Sequence, residues 1–141
     1  MKIKLMVIAI LAGVILLPLT ACSGANSATS DPLDGTSWVL MAYRKSKPIP
    51  GTVITAKFED GQIHGSVGCN SYGGSYQVGD DTIEVSAIFT TEMACLEPEG
   101  IMEQETMLIE FIQDAQTFRF TNGQLLIFRP DGEALTFVPQ E

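Results

Sequence analysis

The chain is 141 residues long, 45% hydrophobic, and carries 17 Asp and Glu against 8 Lys and Arg, a formal net charge of −9. That acid surplus excludes DNA or RNA as a partner, because nucleic-acid affinity rests on Lys and Arg neutralising phosphates, and it excludes a basic patch as the means of holding anionic lipid. The length allows one modest domain with one core and no room for a second.

Met1-Lys2-Ile3-Lys4 opens the chain, an apolar stretch runs from Leu5 to Leu17, and Pro18-Leu19-Thr20-Ala21-Cys22 ends it. A basic head, an apolar middle and a small-residue exit describe a secretory signal over residues 1–21. A spanning helix would need about 20 apolar residues, and Pro18 stops this run short. Leu19-Thr20-Ala21-Cys22 resembles the lipobox of bacterial lipoproteins, in which the cysteine thiol receives a diacylglyceryl group and the peptide is cut just before it. The resemblance implies lipidation at Cys22, an exported protein, and a lipid bilayer as its first partner. Two or three acyl chains, at about 0.8 kcal/mol per buried methylene, anchor a protein stably. Ser23 follows Cys22 in place of the aspartate that marks inner-membrane retention in many Gram-negative bacteria, so by analogy the outer membrane is the destination there. Residues 22–34, rich in small and polar side chains, read as a flexible tether, and the folded domain is expected over 35–139.

Thr36 to Tyr43 is rich in β-formers and predicts a strand, and Arg44 to Gly51, with Pro48 and Pro50, a loop. Thr52 to Phe58 predicts the next strand; Asp60-Gly61 turns it into Gln62 to Val67. Tyr72 to Val78 resumes extended structure, and Gly79-Asp80-Asp81 leads into Thr82 to Phe89, where Ile83, Val85, Ala87 and Phe89 alternate onto one face. From Glu99 the period becomes helical. Ile101, Leu108, Phe111, Ile112 and Ala115 fall on one stripe, with Glu103, Glu105, Glu110 and Asp114 on a solvated face. Asn122-Gly123 then joins Phe118–Phe120 to Leu125–Phe128, and Ala134 to Val138 closes the chain. The expected fold class is mainly β (α+β), a curled antiparallel sheet or partly open barrel of about eight strands with one amphipathic helix.

With Cys22 assigned to lipid, Cys69 and Cys95 remain as an even pair outside the cytoplasm, where thiols commonly join. A disulfide between them is expected, and closing a loop of about 25 residues restricts the unfolded chain by roughly 3 to 3.5 kcal/mol. Other readings of Val67-Gly68-Cys69-Asn70-Ser71-Tyr72-Gly73-Gly74-Ser75-Tyr76 are weaker. A catalytic Cys69 needs a base, and His64, five residues away on an extended strand, points to the other face. A zinc site lacks paired ligand spacing, calcium lacks a loop of spaced carboxylates, and no Gly-Lys-Ser ending makes a phosphate loop. No metal or cofactor is expected. Tyr72 and Tyr76 read as core or sheet-face residues by default and as a ligand-stacking surface in the functional alternative.

Gly35-Thr36-Ser37-Trp38-Val39-Leu40, the run from Gly65 to Tyr76, and Thr90-Thr91-Glu92-Met93-Ala94-Cys95 together resemble the META domain, also called the HslJ-like heat-shock lipoprotein family. The likeness spans Gly35 to Val138. It implies a small exported or membrane-associated domain, often a lipoprotein, linked to stress and antibiotic tolerance, with no established catalytic reaction and a barrel-like antiparallel sheet carrying a helix. Many relatives follow the second cysteine with proline; here proline waits until Leu96-Glu97-Pro98. The expected function is non-enzymatic: an envelope lipoprotein binding a protein or a hydrophobic ligand. A second expectation, by analogy of shape with pilot lipoproteins that escort outer-membrane proteins, is a lipid-binding cavity lined by Leu108, Phe111 and Ile112. A third, an enzyme using Cys69, requires a free thiol.

Overall fold

The computed structural model describes residues 30–141. The leader read over 1–21, the lipidation at Cys22 and most of the tether lie outside the described residues. Strands β1 (Thr36–Tyr43), β2 (Thr55–Glu59), β3 (Gln62–Ser66), β4 (Ser71–Val78) and β5 (Ile83–Thr90) come first, then helix α1 (Ile101–Gln113), then β6 (Thr117–Thr121), β7 (Gln124–Phe128) and β8 (Ala134–Pro139). All pairings are antiparallel, in the order β5-β4-β3-β2-β1-β8-β7-β6. Period-2 alternation sets the inner face: Trp38 and Leu40 of β1, Leu125 and Ile127 of β7, and Leu135 and Phe137 of β8 are buried in one cluster.

Two hairpins obey their turn residues. Asp60-Gly61 and Asn122-Gly123 both take positive φ at both positions (50° and 73°, 50° and 75°), the geometry whose twist matches paired strands. The sheet then curls until its outermost strands touch at one end, where the Ile83 amide donates to the Gln116 carbonyl at 3.0 Å and the Phe118 amide to the Asp81 carbonyl at 2.8 Å. Beyond that point β5 and β6 are not paired with each other. The result is a half-barrel. Helix α1, between β5 and β6 in the chain, carries Leu108, Phe111 and Ile112 into its core.

The alternation expected along β5 holds at Ile83 and Val85 and then breaks. Ala87 takes φ 52° and the register with β4 shifts between Gly73 and Ser75. This bulge inserts a residue and swaps the faces, so Ile88 packs against the core while Phe89 is 68% exposed. Glycine makes the swap possible: a Cβ on Gly73 would stand 2.6 Å from the Phe89 ring, and one on Gly74 2.9 Å from the Ser86 carbonyl oxygen.

Strand β2 begins at Thr55, three residues later than its β-forming composition suggests, because Thr52 is held in a turn by bonds to the Ile49 carbonyl. At the chain's start the packed region reaches further back than Gly35. Leu33 is fully buried, its amide donates to Asp31 Oδ1 at 2.8 Å, and Asp34 accepts the Asp60 amide at 2.7 Å. The last residues read as tether are thus part of the folded unit.

Tyr72 and Tyr76 are core residues. The Tyr72 hydroxyl donates to the Thr55 carbonyl at 3.1 Å and that of Tyr76 to Asp31 Oδ2 at 2.6 Å. Burial raises both phenols well above their ordinary value of 10.0, and the Asp31 carboxylate raises Tyr76 further. In the unfolded chain both deprotonate near pH 10; in the folded chain they do not. The stability they contribute is therefore complete below about pH 10 and declines above it, by up to about 1.4 kcal/mol per pH unit for each tyrosine. Denaturation midpoints measured from pH 8 to 12 should fall only above pH 10, with tyrosinate absorbance rising as the fold is lost.

Candidate functional site: a groove between the helix and a disulfide-held arm

The site starts from a gap in the helical stripe. Between Ile101 and Leu108 one further turn must face inward, and its residues are Gln104 and Glu105, which are 3% and 5% exposed. Glu105 is therefore not on the solvated face expected for it. A carboxylate so placed is costly unless fully hydrogen-bonded. Its Oε1 accepts the backbone amides of Cys69 and Asn70, and its Oε2 accepts the Asn70 side-chain amide at 2.8 Å. Gln104 performs the matching task on the loop before β2, accepting the Ile49 amide at 2.7 Å and donating to Thr52 Oγ1 at 3.2 Å.

Asn70 is the hub. Its side-chain oxygen accepts the Met93 amide at 2.7 Å and the Thr91 hydroxyl at 2.8 Å, and its side-chain nitrogen also donates to the Met93 carbonyl at 2.9 Å. One buried asparagine thus ties the loop after β3 both to the helix and to the segment that follows β5. A disulfide between Cys69 and Cys95, with Cα atoms 6.1 Å apart, adds a covalent tie to the same segment. The stretch from Thr91 to Glu97 has no regular secondary structure. It is an arm fastened at Thr91, Met93 and Cys95.

Arm and helix enclose a groove of about 420 Å³. Its floor and sides are apolar, from Val67, Met93, Met102 and Ile109, and Glu92 and Glu110 stand among its lining. No Lys, Arg or His lines it. On the opposite side of the Met102–Thr106–Glu110 ridge a second groove of about 320 Å³ continues along the helix past Glu103 and Met107.

None of the five residues read as ligand-binding lines either groove. Tyr72, Tyr76, Leu108, Phe111 and Ile112 are all buried in the core cluster, packed among the protein's own side chains. The residues that do line the grooves gave a weak signal, since Met102, Thr106 and Ile109 lie off the expected stripe and the arm has no period. His64 sits exposed on β3, paired across the sheet with Lys57 and Gly73. The Cys69 sulfur is bonded to Cys95. Among the described residues no three His, Cys, Asp or Glu side chains are grouped to hold a metal ion.

These features define a class: a small half-barrel of antiparallel strands closed by one helix, with a polar knot joining helix, loop and arm. The family model of the META domain matches residues 31–141, and the chain belongs to that family. Among solved structures it is similar to a protein from Burkholderia xenovorans determined by NMR, with 28% identity, a TM-score of 0.63, and 77% of this chain and 83% of that one covered. A second NMR structure, 21% identical with a TM-score of 0.62, covers 76% of this chain and 91% of its own. A crystal structure of a DUF4847 family protein from Bacteroides vulgatus, 15% identical with a TM-score of 0.55, covers 80% and 99%. The last two share the fold alone. No curated protein matches the chain.

Proposed function

We propose that this chain is a lipoprotein of the cell envelope, of the HslJ-like kind, anchored through Cys22 and acting without catalysis. In this reading its META domain holds another envelope protein in the groove beside α1, in support of stress or antibiotic tolerance. The observation that carries it is the arm: Asn70, Glu105 and the Cys69–Cys95 bond converge to keep an apolar groove open at the surface, an investment that packing alone does not require. The Cys69 sulfur, taken up by Cys95, is not available as a nucleophile, which weighs against an enzyme. A lipid-carrying pilot is the less favoured alternative, because Leu108, Phe111 and Ile112 are occupied in the core.

Two measurements in cells test it. Mass spectrometry of the purified protein should find acyl chains on Cys22, absent in Cys22→Ser. A photo-crosslinking residue at Met102 should capture a defined envelope protein that one at Asp80 does not. Three free thiols in a chain recovered without detergent would overturn the anchoring, and equal capture from both positions would overturn the groove.

A further inference from the structure

We infer that the groove takes a basic amphipathic segment of its partner, lying along α1 with apolar side chains in the two troughs and Lys or Arg over the rim. The inference deepens the reading of the groove as the binding site and rests on it. Three observations carry it. First, charge is segregated along the chain: Glu92, Glu97, Glu99, Glu103, Glu105, Glu110 and Asp114 fall between residues 91 and 114 without one Lys or Arg. Basic side chains lie elsewhere, and several are already engaged, Arg44 with Glu133 at 2.6 Å, Lys57 with Glu59 at 2.8 Å, and Arg129 with Asp114 at 2.8 Å. Arg129 thus neutralises Asp114 at the end of the helix, while Glu92, Glu103 and Glu110 form no ion pair among the described residues, so the field at the groove is negative.

Second, the site is elongated. Met102, Thr106 and Glu110 succeed one another at every fourth residue and are shared by both grooves, so the grooved surface follows the helix for about 12 Å at 1.5 Å per residue. A compact cation would fill one trough; a polypeptide segment fits the line. Third, the lining is rich in methionine, with Met93, Met102 and Met107 all present. Flexible, polarizable thioethers repack around different apolar side chains, the property of surfaces that receive amphipathic helices. Met93 on the arm is 55% exposed and Leu96, further along it, 88% exposed, offering apolar contact beyond the groove.

The test uses the lipid-anchored protein in neutral phosphatidylcholine nanodiscs and fluorescent helical probes of 18 residues. One probe is built of Leu and Lys with the apolar residues on one face; a second has Glu for every Lys; dodecylamine serves as the small cationic amphiphile. We expect the Leu/Lys probe to bind, the Leu/Glu probe not to, and affinity to fall at least tenfold in Glu92→Lys/Glu110→Lys and at least threefold in Met93→Ser/Met102→Gln. The pair Asp80→Lys/Glu84→Lys makes the same charge change at the far end of β5 and should alter affinity less than twofold. Equal loss in both charge-reversed pairs would mean diffuse attraction and would overturn the proposal. So would binding of the Leu/Glu probe, or binding of dodecylamine alone. Selective crosslinking from Met102 in cells together with no preference for the Leu/Lys probe would overturn the basic-segment assignment alone, whereas equal crosslinking from Met102 and Asp80 would overturn the groove itself, so the two failures are distinguishable.

Discussion

Glu105→Ala should destabilise the domain by about 3 kcal/mol or more, the largest effect expected from any exposed-looking residue in the sequence. The carboxylate satisfies three donors, the amides of Cys69 and Asn70 and the Asn70 side chain. Each buried donor left without a partner costs about 1 to 3 kcal/mol. Water entering the space would recover part of that, so the low end of the sum is the prediction. Glu105→Gln keeps one acceptor and should cost less. Asn70→Asp is expected to be as harmful as the alanine change, because it sets a second carboxylate 2.8 Å from Glu105 Oε2 and withdraws the donor that filled that place. Urea titrations should show lowered midpoints with unchanged slopes. A loss below about 1 kcal/mol for Glu105→Ala would mean that the carboxylate is solvated and the knot is not formed.

Removing the disulfide is the second large effect. Cys69→Ser/Cys95→Ser reopens a loop with a sequence separation of 26 residues, and the chain-entropy account assigns about 3 to 3.5 kcal/mol to a loop of that length. Typical domains have about 5 to 15 kcal/mol in all, so the variant should fold with a much lowered melting temperature. The local outcome matters more than the global one. Asn70 still holds Met93 and Thr91 in the serine variant, so the arm should stay near the helix. Asn70→Ala leaves the covalent tie but not the hydrogen bonds. Because both act on the same segment, their effects should couple rather than add. Since the arm stays in place while either tie remains and detaches only when both are gone, the triple variant is expected to cost more than the sum of the two.

The sequence made the sheet legible wherever local chemistry decides the backbone. Asp60-Gly61 and Asn122-Gly123 admit little but a tight turn, and the alternation in β1, β7 and β8 fixes which side is buried. It misled at β5, where Ala87 occupies a positive φ that composition gives no reason to expect and that depends on Gly73 and Gly74 across the ladder. The helix stripe was visible at Ile101, Leu108 and Phe111, and its own spacing already contained Gln104 and Glu105 as the missing inward turn. Polarity alone assigns Glu105 to the solvated face. A charged residue in an inward position signals a partner to be found, and here the partners are backbone amides of Cys69 and Asn70, which no side-chain pattern announces. The cysteine pair was readable because, with Cys22 set aside for lipid, two cysteines remain; the arm that they fasten was not, since it has neither period nor turn signal. Tyr72, Tyr76, Leu108, Phe111 and Ile112 proved to be what apolar residues on an inner face usually are.

The account stands or falls on whether the arm is fastened in solution. Amide hydrogen exchange at Met93 reads this directly, because its N–H donates to Asn70 Oδ1 at 2.7 Å and to nothing in a strand. The amide should be protected in the native protein and exchange at least tenfold faster in Asn70→Ala, while amides of β1 keep their protection. Free exchange at Met93 in the unaltered protein, with the β1 amides protected, would show a loose arm and no standing groove.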